Sequence, residues 1–164
     1  MGFDSETAFE SALIKCLVEE KGWKDGVIKY PTEKDLLDNW AKIIFENNRD
    51  IDRLGDFPMT DGEMAQIMGQ IAKLRTPLNL NGFINGGTVQ IIRDNENDTH
   101  NFKKTISLKI FDRNEIAAGR TRYQIAQQPK FKAKNSIYPN RRGDFCLLIN
   151  GMPVIHVELK KSNV

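Results

Sequence analysis

The sequence predicts an α+β or α/β layer fold, with helices covering a sheet that ends in a hairpin. Three observations carry this. Apolar residues recur at helical spacing through about residue 76, and from Thr88 the period shortens to two. Near the end, Asn150-Gly151 separates two short apolar runs, Phe145 to Ile149 and Val154 to Leu159. Asn-Gly between such runs is the strongest local hairpin signal. The 164 residues read as one domain, helical over about 1–76, with the sheet and its hairpin over about 88–164.

Ser5 to Glu20 reads as the first helix. Phe9, Leu13, Cys16 and Leu17 form its apolar stripe, Asp4 or Ser5 caps its start and Gly22 ends it. Val27 to Tyr30 is a weakly signalled strand. Thr32-Glu33-Lys34-Asp35 resembles a capping box with Asp in place of Glu. It opens a second helix over about 33–47, with Leu36, Leu37, Trp40, Ile43 and Ile44 inward and Asn47-Asn48 at its end. Thr60 and Glu63 form a full capping box. The helix it opens reaches about Leu74, with Met64, Ile67, Met68, Ile71 and Leu74 inward. Pro77 and the run Asn79 to Gly87 then break the helical pattern. Strands are expected over Thr88 to Arg93, Thr105 to Phe111 and Arg122 to Ala126. Asp94, Glu96 and Asp98 alternate between the first two, but the Gly and terminal Glu of a calcium loop are missing. A solvated turn is expected there.

Composition excludes several classes. No run of 18 apolar residues occurs, and the N-terminus lacks a basic-then-apolar signal pattern. Cys16 and Cys146 make no disulfide framework, which fits a cytoplasmic protein. Two histidines are too few for a His-rich zinc site. No G-x-x-x-x-G-K-[ST] loop occurs, so any ATPase is expected beyond Val164.

The hairpin carries the chemistry. Residues two apart on a strand share a face, so Glu158 and Lys160 point one way and Ile155, Val157 and Leu159 the other. A strict two-residue turn pairs Asp144 with Val157 and mixes polar with apolar. A three-residue loop, or a bulge beside the turn, pairs Phe145 with Val157, Leu147 with Ile155 and Asp144 with Glu158. Burial selects the second register. Two adjacent carboxylates suit a divalent cation such as Mg²⁺, which takes carboxylate, water and phosphate oxygens. Lys160, on the same face, orients an attacking water or offsets charge developing on a phosphate. From Ile116 to Gly143 the sequence has no Asp or Glu but holds Arg120, Arg122, Lys130, Lys132, Lys134, Arg141 and Arg142. In a chain of net charge +2, this local +7 suits a phosphate backbone. Phe131 and Tyr138 within it stack on a base or, more economically, pack in the core. The alternative for the stretch is a solvated loop or a surface for another subunit.

Asp144, the turn Asn150-Gly151-Met152-Pro153 and Glu158-Leu159-Lys160 together resemble the nuclease motif of the PD-(D/E)xK superfamily. More closely, they resemble the N-terminal nuclease domain of the R subunit of type I restriction endonucleases. Gly143 departs from the Pro that most members place before the Asp. The resemblance implies a single nuclease domain over 1–164 with a restriction-endonuclease-like mixed β-sheet flanked by helices. It implies catalytic Asp144, Glu158 and Lys160, with Mg²⁺ held by Asp144, Glu158 and the Leu159 carbonyl. The basic stretch leading into Asp144 is the expected DNA track, with Lys132, Lys134, Arg141 and Arg142 as its contacts. The implied partners are duplex DNA and the methyltransferase and specificity subunits, with ATP used only by a motor beyond this chain. In some members a Glu at the place of Glu10 reaches the metal; a solvated helix carboxylate is the alternative. A repair or recombination nuclease with the same core, or a nuclease-like fold that only binds DNA or a partner, are the other readings.

Overall fold

A computed structural model describes residues 5–111, 119–132 and 140–160, and for 132 and 140–142 the backbone only. The fold is α+β. In chain order it runs α1 (Glu6–Glu20), β1 (Val27–Lys29), α2 (Glu33–Asn47), α3 (Asp61–Ile71), α4 (Pro77–Ile84), β2 (Thr88–Ile92), β3 (Thr105–Lys109) and β4 (Tyr123–Gln127). It closes with β5 (Lys130–Lys132), β6 (Asn140–Arg142), β7 (Phe145–Ile149) and β8 (Met152–Val157). The chain groups into two compact units. One contains residues up to Leu36 and from Arg122 onward; the other is the continuous segment Leu37–Thr121.

The first unit holds a mixed sheet in the order β1-β4-β7-β8. β1 runs parallel to β4, and the β4–β7 and β7–β8 pairs are antiparallel. Both faces of this sheet are covered. On one face Ile125, Phe145 and Leu147 pack with Ile14 of α1, joined by Leu13, Leu17, Val18, Val157 and Leu159. On the other, Ala126, Cys146 and Leu148 pack with Leu36 at the start of α2 and with Phe131. Burying Leu148, Ile125 and Phe145 completely stabilises this core by about 1.5–3 kcal/mol per side chain. β8 is an edge strand, and Pro153 lies on it, as expected for a residue without an N–H.

Helix starts follow the sequence closely. Ser5 Oγ accepts from the Ala8 N–H at 3.1 Å, while Asp4 lies outside the described residues. Thr32 and Asp35 bond reciprocally, Asp35 N–H to Thr32 Oγ1 at 3.2 Å and Thr32 N–H to Asp35 Oδ2 at 2.8 Å. The Thr32 N–H and the Thr32 hydroxyl, both donating to Oδ2, hold the Asp35 carboxyl below the usual carboxylate range. The Thr60–Glu63 capping box is complete. Helix faces are less well anticipated. On α1 the buried positions are Glu10 and Ile14, whereas Phe9 is exposed and Cys16 half-buried. The stripe is rotated from the expected one because its N-terminal member is a carboxylate, which an apolar count passes over. Helix α3 stops at Ile71, and Met68 is exposed rather than inward.

Helix α4 was not expected. Pro77 reads as a breaker, yet it stands at the first helical position, where its missing N–H costs nothing. Thr76 caps it, with Oγ1 accepting from the Asn79 N–H at 3.2 Å. The ribbon β5–β6, with Lys130 opposite Arg142, Phe131 opposite Arg141 and Lys132 opposite Asn140, was also not anticipated.

The second unit packs α3 with the hairpin β2–β3. Val89 and Ile91 alternate with exposed Thr88, Gln90 and Ile92. The free edge of β2 meets side chains instead of a third strand. Gln66 donates to the Ile92 carbonyl at 2.9 Å and accepts from the Ile92 N–H at 2.8 Å; Gln70 donates to the Gln90 carbonyl at 2.7 Å. The acidic loop after β2 is not simply solvated. Asp98 is 2% exposed and bonds Arg93 Nε at 2.9 Å. Arg93, wholly buried, also bonds Glu63 Oε2 at 2.6 Å and the Phe57 carbonyl at 2.6 Å. Burial pushes the Asp98 carboxyl up, but Arg93 and the Asn101 N–H outweigh it and hold the group below its ordinary value.

Candidate functional site at the end of the mixed sheet

The Asn150-Gly151 turn is a tight two-residue connection, with Ile149 paired to Met152. Both central residues have positive φ, +49° and +84°, the primed geometry that matches strand twist and that Asn-Gly favours. Asn150 ties the turn down, accepting from the Arg122 N–H on Oδ1 at 2.9 Å and donating its own N–H to the Arg122 carbonyl at 2.8 Å. A register shift between Leu147 and Leu148 absorbs one residue on β8. Beyond it Leu147 faces Ile155, Cys146 faces His156 and Phe145 faces Val157, which is the register that burial selects.

The ladder ends at Phe145–Val157, so Asp144 and Glu158 are the next residue on each side. Asp144 is half-buried, and Glu158 and Lys160 are exposed. The Asp144 carboxylate accepts a hydrogen bond from the Leu159 N–H, which holds it against the Glu158–Lys160 backbone. Its carbonyl accepts from the Gln128 N–H at 2.7 Å. Gly143 is buried just before it. A β-carbon there would lie 2.5 Å from His156 Nε2, so a larger residue at this position requires the exposed His156 ring to turn aside.

Glu10 is not a solvated helix carboxylate; it is 4% exposed. Gln127 Nε2 donates to its Oε1 at 2.8 Å, and Gln128 Nε2 donates to both oxygens at 3.2 and 3.1 Å. The glutamines stand at and just past the end of β4, and Gln127 is paired with Phe145. This brings Glu10 to the same end of the sheet as Asp144. The amide pair was missed because two glutamines carry no charge pattern.

Among the described residues no three His, Cys, Asp or Glu side chains group so as to hold a metal ion. Asp144 and Glu158 suit an open, oxygen-ligand site of one or two carboxylates instead. Of the expected DNA contacts, Lys132, Arg141 and Arg142 lie on the β5–β6 ribbon, which joins β4 to β7 just ahead of Asp144. Lys134 and Tyr138 lie outside the described residues. Cys16 and Cys146 are free thiols, and burial pushes the Cys146 thiol up. Among the described residues no helix is long and apolar enough to cross a membrane.

The mixed sheet ends in a bulged hairpin, with Asp144 on one side and Glu158 and Lys160 on the other just past its last pair, and comparison with known proteins gives the class of domain. The family described as Type I restriction enzyme R protein N terminus matches residues 4–164, and the chain belongs to it. It is similar to the Type I restriction enzyme SsaAORF53P endonuclease subunit of Staphylococcus saprophyticus, 27% identical over 168 aligned residues. It is also similar to the SauCOLORF180P endonuclease subunit of Staphylococcus aureus strain COL, 27% identical over 166. Each match covers 100% of this chain and 16% of the relative, so the chain spans about a sixth of the length of these relatives.

Proposed function

We propose that this chain is the nuclease domain, over 1–164, of a type I restriction endonuclease R subunit. It hydrolyses phosphodiester bonds of duplex DNA by PD-(D/E)xK chemistry with Mg²⁺. The observation that carries this reading is the Asp144 carboxylate held on the Leu159 N–H, across the hairpin from Glu158 and Lys160, in a chain of this family. Asp144, Glu158 and the Leu159 carbonyl are the groups that would hold the cation. When bound, it neutralises phosphate charge and makes a nearby water more acidic. The fixed Asp144 removes one side-chain freedom from that site. Lys160, at an exposed position, would orient the attacking water and offset charge on the phosphate.

The ribbon supplies the DNA path. Alternate ladder positions share a face, so Lys130, Lys132, Asn140 and Arg142 fall on one face and Phe131 and Arg141 on the other. Phe131 packs against the cluster around Leu36 and Leu148. The duplex backbone therefore tracks the face of Lys130, Lys132 and Arg142, with Arg141 the lesser contact. ATP-driven translocation, the methyltransferase and specificity partners and a cytoplasmic location belong to this reading of the full subunit.

Calorimetric titration of Mn²⁺ tests it. Wild type binds, and Asp144→Ala and Glu158→Ala abolish binding while circular dichroism stays unchanged. Binding that survives both substitutions, or no binding even with duplex DNA present, points instead to a nuclease-like module that only binds DNA or a partner.

A further inference from the structure

Four features coincide at Gln128. Its backbone has φ +52°, a left-handed conformation that residues with a β-carbon rarely adopt. Its N–H donates to the Asp144 carbonyl, and its Nε2 donates to both oxygens of Glu10. Its Oε1 is buried and, among the described residues, accepts nothing. Strained backbone and unsatisfied buried acceptors are both rare, and both concentrate at functional positions. Here one residue carries both while bonding the Glu10 carboxylate and the Asp144 backbone.

Glu10 sharpens the point. A buried carboxylate ordinarily has a cationic partner, yet among the described residues Glu10 is met by neutral amides. The amides orient its charge without neutralising it. A cation close by would neutralise it, and the water shell of that cation would supply the donor that Oε1 lacks.

We infer that Gln128 is a positioning residue of the cation site: its Nε2 fixes the Glu10 carboxylate, and its open Oε1 accepts a hydrogen from the water shell of a divalent cation held at Asp144. The inference rests on the nuclease reading above. It assigns to a neutral residue outside the acidic motif a share in metal affinity. Partners in the outer shell of a metal contribute about 10–100-fold to its affinity.

The experiment is Mn²⁺ calorimetry on wild type, Gln128→Leu, Gln128→Glu and Asp144→Ala, with thermal melts in parallel. Gln128→Leu keeps its circular dichroism and binds Mn²⁺ about tenfold more weakly. Gln128→Glu places a second carboxylate against Glu10, so it melts below wild type in metal-free buffer, and Mn²⁺ closes the gap. Wild-type Mn²⁺ affinity in folded Gln128→Leu overturns the inference. So does a Gln128→Glu protein that Mn²⁺ stabilises no more than it stabilises wild type, and this arm decides alone if Gln128→Leu fails to fold. Loss of binding in Asp144→Ala with full binding in Gln128→Leu overturns only the role of Gln128. Full binding in both, or no binding by wild type with duplex DNA added, removes the nuclease reading as well.

Discussion

Each unit buries glutamate, and the two units treat it in opposite ways. In the second, Glu63 and Asp98 share Arg93, whose guanidinium also donates to the Phe57 and Pro58 carbonyls. Both carboxylates there touch the cation, and the cluster locks the start of α3 to the end of β2. In the first, Glu10 is bound by two amides, one of which keeps an acceptor unused among the described residues. The Arg93 cluster already holds its cation; on the proposed reading the Glu10 arrangement gains one. Burial of a carboxylate alone therefore separates neither structure from function. On the proposed reading, the identity of the donors does.

The largest expected effect breaks the complete cluster. Arg93→Leu leaves two carboxylates buried without their cation and costs about 3–5 kcal/mol, read by urea unfolding. A cost below about 1 kcal/mol would mean that the carboxylates escape to water and that the two units differ less than argued. Next comes the same substitution made twice. Glu63→Gln costs about 2 kcal/mol, since it weakens charge-assisted bonds to Arg93 and the cap. Glu10→Gln in metal-free buffer stays within about 1 kcal/mol of wild type, because the new amide can donate to Gln128 Oε1. Equal costs at the two positions would erase the distinction.

A smaller effect checks that the first unit draws stability from its turn. Gly151→Ala forces a β-carbon into φ +84° and costs roughly 1–2 kcal/mol, by the same unfolding measurement. The smallest is the pH dependence. The folded Asp98 carboxyl titrates below its ordinary 3.8, so its contribution is full above that value and is lost as pH falls through the lower, folded one. The stability gap between wild type and Asp98→Asn should narrow on acidification below about pH 4. A gap that stays constant down to pH 2 would exclude Asp98 as the acid-sensitive group.

Much of this was legible in the sequence because the signals were local. Capping residues at Ser5, Thr32 and Thr60 set three helix starts. Asn150-Gly151, with apolar runs on both sides, set the hairpin and its register. The motif residues Asp144, Glu158 and Lys160 could be read off that hairpin, and their roles remain proposals. What was not legible depended on partners distant in sequence. Glu10 lies 117 residues from Gln127, and nothing near it announces burial. The β5–β6 strands are three residues each, too short for a period-two pattern to show. α4 was lost to a rule that treats proline as a breaker without asking whether it stands at position one.

The order of strands also sets a clock. Val27 of β1 must find Ile125 of β4, a closure of about 100 residues. During synthesis at about 5–20 residues per second, β1 and the apolar face of α1 wait on the order of 5–20 s for their partner strand to be made. Meanwhile the continuous middle segment emerges with all its own contacts in hand. The half that carries the proposed site is thus the late-folding half, and the nascent chain presents an uncovered amphipathic helix for those seconds, which is when a chaperone would find it.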